Sequence, residues 1–131
     1  MRLLLDTHIL LWRLADSKRL SRAALALTDD SANEVVASTA SIWEVAIKWS
    51  LRKGLHSDMP LSGRDFTAAL VEAGIAVLPI EPAHTVALDD LPLYHRDPFD
   101  RLLIATAQHE GFRLLTSDAQ LSAYGDLVLT V

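Results

Sequence analysis

The sequence predicts an α/β fold: a three-layer α/β/α sandwich around a central parallel sheet of about four to five strands. Short apolar runs alternate with helix-like segments along the whole chain. The segments between the runs are long enough for crossover connections, so the strands run parallel with both faces covered. Two of the runs end on an acid, Asp6 and Asp118, at what would then be one edge of the sheet.

Residues 2–5 (Arg-Leu-Leu-Leu) have the character of a short buried strand. Residues 7–15 carry Ile9, Leu10, Leu11 and Leu14 at helical spacing, with Asp6 or Thr7 as cap. Residues 21–28 repeat the pattern, with Ser21 as N-cap and Leu25 facing the core. Residues 34–37, with Val35 and Val36, read as the second strand. Residues 38–51 form the longest helix, where Ile42, Val45, Ala46 and Trp49 make one apolar stripe and Gly54 acts as the stop. Residues 55–63 hold Gly, Pro, Ser and Asp and read as a loop. A helix over 65–73 ends at Gly74, a third strand covers 75–78, and a short helix over 82–88 has Pro82 in its first turn. After an irregular stretch at 91–96, a helix over 98–110 ends at Gly111. A fourth strand (113–116), a short helix (119–123) and a last strand (127–130) follow.

With 131 residues the chain reads as a single domain, 1–131, large enough for a real core. Half the residues are hydrophobic and 22% are charged, which excludes a disordered chain. There is no cysteine, hence no disulfide, thiol nucleophile or zinc–thiolate site, in keeping with a cytoplasmic home. Met1-Arg2-Leu3-Leu4-Leu5 meets Asp6 too early for a signal peptide. No apolar run approaches the roughly 20 residues of a membrane span. The net charge of −5 argues against a broadly basic nucleic-acid coat. Two local clusters, Arg13/Lys18/Arg19/Arg22 and Lys48/Arg52/Lys53, read either as solvated helix faces or as phosphate contacts.

The acids each carry two readings. Asp6 and Asp118 are placed to cap the helices that follow them, and Ser117 could replace Asp118 in that role. Asp97, followed by Pro98 at the first helical position, is a good cap. Asp100 then falls near N3, where a negative charge favours the helix dipole. Glu44 can pair with Lys48 at i, i+4. Their conjunction points further. In an open parallel sheet the ligand crevice lies beyond the carboxyl ends of the strands. Carboxylates gathered there repel one another unless a cation intervenes. Hard oxygen ligands suit Mg²⁺ or Mn²⁺, and ions so held activate water against phosphates.

Competing chemistries find little support. The five histidines (His8, His56, His84, His95, His109) show no metal-ligand spacing and read as surface or loop residues. No P-loop or dinucleotide fingerprint is present. Trp12, Trp43 and Trp49 read as core or interface packing rather than as base-stacking platforms. An aspartyl-phosphate enzyme would want a second acid two residues after Asp6, where His8 stands. A phospho-acceptor signalling domain would want an acid beside Asp6 and a lysine late in the chain, and no lysine follows Lys53. A binding module that keeps the groove without turnover is the other alternative.

Four blocks together resemble a known family. Leu5-Asp6-Thr7, Ser41-Ile42-Trp43-Glu44, Asp100 to Ala107, and Thr116-Ser117-Asp118 are similar, in order and spacing, to the motif blocks of PIN domains. They most resemble the VapC-like toxin ribonucleases of toxin–antitoxin systems, and 95–101 (His-Arg-Asp-Pro-Phe-Asp-Arg) is similar to one subgroup of these. The resemblance implies Mg²⁺- or Mn²⁺-dependent hydrolysis of RNA phosphodiester bonds. It carries over Asp6, Glu44, Asp100 and Asp118 as the acidic site. Asp6 and Asp100 would be the principal metal ligands, with Asp118 holding the metal directly or through water and Glu44 as ligand or water orienter. Thr116, Thr7 and Ser41 would support the cluster, and Asp97 would be a further carboxylate or only a cap. The resemblance further implies a homodimer, restrained by a small antitoxin whose arginine-bearing tail enters the acidic groove, with docking surfaces near Trp12 and Trp49.

Overall fold

The computed structural model describes residues 1–52 and 58–131. Lys53, Gly54 and His56, with the stop expected at Gly54, lie outside the described residues. Five strands, β1 (Arg2–Leu5), β2 (Glu34–Ser38), β3 (Ala76–Leu78), β4 (Arg113–Thr116) and β5 (Val128–Thr130), form one sheet in the order β3-β2-β1-β4-β5, every neighbouring pair parallel. The helices are α1 (Thr7–Leu14), α2 (Arg22–Asp29), α3 (Thr39–Leu51), α4 (Gly63–Glu72), α5 (Pro82–Val86) and α6 (Pro98–Glu110). Successive strand residues face opposite layers. Leu4, Val36 and Leu114 pack with Leu103, Ile104 and Ala107 of α6. Leu5, Ala37 and Leu115 pack with Ile9 and Leu10 of α1, Ala24 of α2, and Phe66 and Leu70 of α4. The expected three layers are therefore present.

The order matters for the site. The chain steps from β1 to β2 and β3 on one side, then returns to place β4 on the other side of β1. The connections leaving β1 and β4 therefore go to opposite sides of β1, the point where an open parallel sheet places its ligand crevice. Asp6 follows β1 and Asp118 lies two residues beyond β4.

Several local expectations are corrected. Leu25 is exposed; Ala24 is the α2 residue in the core. The α3 stripe is only partly covered: Val45 is buried and Ile42 packs against the core beside it. Ile42, Ala46 and Trp49 line an open apolar groove of about 600 Å³ with Gly63 and Val71. The buried face of α3 is Ala40, Ser41, Glu44 and Val45, so its polar residues point inward. Helix α4 starts two residues earlier than expected, because the Ser62 hydroxyl accepts the Asp65 amide as an N-cap. The short helix expected over 119–123 is a 3-10 segment, Ala119–Leu127, broken at Gly125 (φ 76°).

Candidate active site

Four elements bring acids to the carboxyl edge of the sheet. Asp6 is the N-cap of α1, its Oδ1 accepting the Ile9 amide at 2.9 Å. Its Oδ2 accepts the Thr116 hydroxyl from the neighbouring strand. That hydroxyl also accepts the Asp118 amide at 3.0 Å, so Thr116 couples the ends of β1 and β4. Asp118 Oδ1 in turn accepts the Gln120 amide at 2.9 Å. Glu44, on the inward face of α3, is held at both oxygens: Thr7 donates to Oε1 at 2.6 Å and Lys48 to Oε2 at 2.7 Å. Ser41 hydrogen-bonds Thr7 at 3.0 Å. Cap and crevice are thus one arrangement for Asp6 and Asp118. One carboxylate oxygen satisfies an orphan helical amide while the group stands at the mouth of the sheet.

Asp97 is the cap of α6. Its Oδ1 accepts the amides of Phe99 and Asp100 at 2.8 and 3.1 Å, and Pro98 occupies N1. Asp100, one turn in, reaches the crevice, where its Oδ2 lies 2.9 Å from His95 Nε2. Burial raises the pKa of Asp6, partly offset by the Ile9 amide and the Thr116 hydroxyl. Asp100 is pushed up to about 6, first by burial and then by the charge of Asp97, against the His95 bond; the charge of Asp6 adds to the rise. The charge of Glu44 likewise raises Asp6. Asp6 is therefore close enough to oppose the ionisation of Asp100.

Two histidines are misread by sequence pattern. His95 is not a bystander: its ring nitrogen and the carboxylates of Asp100 and Asp118 lie within 4.8 Å of one another. The signal was its place just ahead of the α6 cap. His84 is buried, not a surface residue. Its Nδ1 accepts the Glu81 amide at 3.0 Å, so Nε2 carries the proton shared with Glu110 at 2.7 Å. His84, His109 and Glu110 also lie together, but the His84 ring has no lone pair left for a cation while the Glu81 bond stands. His8 and His109 are exposed, as expected.

Of the two roles expected for Trp43, core packing does not hold. It is 52% exposed and meets Phe99 edge-on, with centroids 4.9 Å apart, across the α3–α6 seam. Each ring immediately precedes a crevice acid, Glu44 and Asp100. Of the basic clusters, Lys48 holds Glu44, Arg13 pairs with Asp29, and Arg52 stacks on Trp49 at 3.7 Å. A separate recess of about 550 Å³, lined by Arg13, Asp29, Glu72 and Ile75 among others, contains none of the four acids.

The donor chemistry of the crevice fits a divalent cation. Carboxylate oxygens predominate, burial raises the pKa of two of the acids, and one imidazole stands among them. A family model for the PIN domain matches residues 3–127. The chain belongs to the PIN domain family. This PIN domain is 32% identical over 123 residues to ribonuclease VapC22 of Mycobacterium tuberculosis, covering 92% of this chain and 90% of that one. Among solved structures it resembles VapBC2 of Rickettsia felis bound to a promoter DNA fragment (TM-score 0.66, 14% identity, 100% of this chain and 98% of that one). It also resembles a toxin–antitoxin complex from Klebsiella pneumoniae (TM-score 0.63, 22% identity, 97% and 95% covered). FitAcB of Neisseria gonorrhoeae is similar too (TM-score 0.63, 17% identity, 98% and 96% covered). These structural likenesses establish the shared fold.

Proposed function

We propose that this PIN domain is a Mg²⁺- or Mn²⁺-dependent endoribonuclease, the toxin of a toxin–antitoxin pair. The observation that carries this is the convergence of Asp6, Glu44, Asp100 and Asp118 from four elements on the β1–β4 crevice. The relationship to ribonuclease VapC22 supports the choice of RNA.

In this reading Asp6, Asp100 and Asp118 hold the cation, and Glu44 orients the attacking water. A divalent ion bound there would activate water and polarise a phosphoryl oxygen. The protein's own contribution is preorganisation. Thr116 fixes Asp6 and the start of the segment bearing Asp118. Thr7 and Lys48 fix both oxygens of Glu44, and Ser41 steadies Thr7. Asp97 acts as a cap that sets the register of Asp100. Trp43, with Phe99 behind it, offers a face on which an unpaired base could stack.

The groove between α3 and α4, walled by Ile42, Trp49 and Val71, supports a docking surface for the apolar part of a small antitoxin. An arginine from its tail would then neutralise the acidic crevice. A homodimer and a cytoplasmic location belong to the same reading. No helix among the described residues is long and apolar enough to cross a membrane.

A cleavage assay tests the proposal. Wild type and Asp100→Asn are incubated with a mixed RNA pool in Mn²⁺, Mg²⁺ or EDTA. Cutting that needs the metal and is lost in Asp100→Asn is the expected result. Cutting that survives the substitution would overturn the site, and Mn²⁺ binding without cleavage of any RNA would favour a non-catalytic binding module.

A further inference from the structure

We propose that His95 supplies a ligand nitrogen, beside Asp100 and Asp118, to the cation of the acidic crevice and so biases it toward Mn²⁺ over Mg²⁺. The inference rests on the metal-dependent reading above and adds a residue and a selectivity to it.

The geometry comes first. One ligand atom each from His95, Asp100 and Asp118 falls within 4.8 Å of the others, a spread that one ion can bridge with small side-chain adjustments. The His95 side chain is only 14% exposed, so the ring is held at the crevice rather than swinging in solvent. It enters from the irregular stretch before α6, whereas the two carboxylates come from α6 and from the segment after β4. The three donors therefore approach from different directions.

The state of the ring comes second. At 2.9 Å from Asp100 Oδ2, Nε2 is the proton donor while no cation is bound. Ligation needs the neutral ring to carry its proton on Nδ1, leaving the Nε2 lone pair for the ion. Among the described residues no group is hydrogen-bonded to His95 Nδ1, so that tautomer is open. His84 provides the contrast, because the Glu81 amide occupies its Nδ1 and locks the proton on Nε2.

The chemistry comes third. Mg²⁺ prefers an octahedron of oxygens and parts with its waters reluctantly. An imidazole nitrogen favours first-row transition ions instead. A crevice of carboxylates alone would leave that preference unset; one nitrogen tilts it.

The test is pulsed electron paramagnetic resonance on the full chain loaded with Mn²⁺, without RNA. The variants are His95→Gln, which keeps a donor for Asp100, and His95→Ala. Circular dichroism melts check that both remain folded. Wild type should show ¹⁴N modulation from a directly bound nitrogen, and both variants should lose it. The preference for Mn²⁺ over Mg²⁺, measured by competition, should fall by at least about tenfold in His95→Gln. Bound Mn²⁺ without ¹⁴N modulation in the wild type would overturn the proposal and leave His95 as an orienter of Asp100. Modulation that persists in His95→Gln would also overturn it, by assigning the nitrogen elsewhere. Absence of any Mn²⁺ binding would overturn the metal reading and this inference together. Nitrogen-ligated Mn²⁺ with no RNA cleavage would sustain the inference while removing the ribonuclease.

Discussion

The hydroxyl of Thr116 donates to Oδ2 of Asp6 and accepts the backbone amide of Asp118, which ties the ends of β1 and β4 into one unit. Thr116 is fully buried, so the bond is shielded from water. In Thr116→Val the Asp6 carboxylate loses a donor and the Asp118 amide loses an acceptor. A thermal melt should show a loss of about 1–3 kcal/mol. The Thr116 bond lowers an Asp6 pKa that burial raises, so its removal raises that pKa further. RNA cleavage should weaken, with its pH profile displaced to higher pH. An unchanged profile would mean that Asp6 does not titrate in the rate-limiting form.

Asp100 is predicted to oppose folding at neutral pH. Its carboxyl ordinarily titrates at 3.8 and is pushed up to about 6 in the fold. Between those values the folded chain holds a proton that the unfolded chain has released. Stability therefore falls as pH rises through that window, and the loss is complete above about pH 6. Asp100→Asn should be the more stable protein at pH 7, by about 1–2 kcal/mol given the 24% exposure of the side chain. Below about pH 4 the two melts should converge. A variant that is less stable at pH 7 would show that the bond to His95 outweighs burial.

Trp43 is expected to contribute to RNA affinity. In an Asp100→Asn background, where cleavage does not interfere, Trp43→Ala should weaken binding of single-stranded RNA by about 1–3 kcal/mol. Trp43→Phe should retain most of it, since a π-face remains. Unaltered affinity with a changed sedimentation profile would instead assign the exposed ring to a protein interface.

Gly63 is expected to be intolerant of a side chain. A Cβ built there would lie 2.9 Å from Ala46 Cβ and 3.4 Å from Ala46 Cα, so α4 would have to move away from α3. Gly63→Ala should cost about 1–3 kcal/mol in denaturant melts. Ala46→Gly in the same chain should restore part of the loss, because the two sites meet. Additive losses would place the strain elsewhere.

Much of the fold was legible because the strands and long helices announce themselves by period and by their stops. The run Arg113–Thr116, the helix Pro98–Glu110 with Asp97 as cap, and Gly111 in the left-handed conformation all match the sequence expectation. Periodicity placed the α3 stripe on one face but not its neighbour. Its apolar stripe of Ile42, Ala46 and Trp49 lines an open groove, while Ser41 and Glu44 turn inward. An apolar stripe states which residues share a face, not which neighbour covers it. His95 was missed for a related reason. Five residues from Asp100 across a loop–helix junction, it has no period to place it, and only the path of the chain brings its nitrogen to the carboxylate.

The parallel α/β class, the caps and the set of acids able to face one edge can be read from the chain alone, because they follow from local period, local hydrogen bonding and strand direction. The tertiary structure decided which side of β1 receives β4, and with it where the crevice opens. It also decided that Thr116 bridges Asp6 and Asp118, that Thr7 reaches Glu44, and that His95 joins Asp118. Those outcomes depend on strand order and on contacts between residues distant in the chain, which no local pattern encodes.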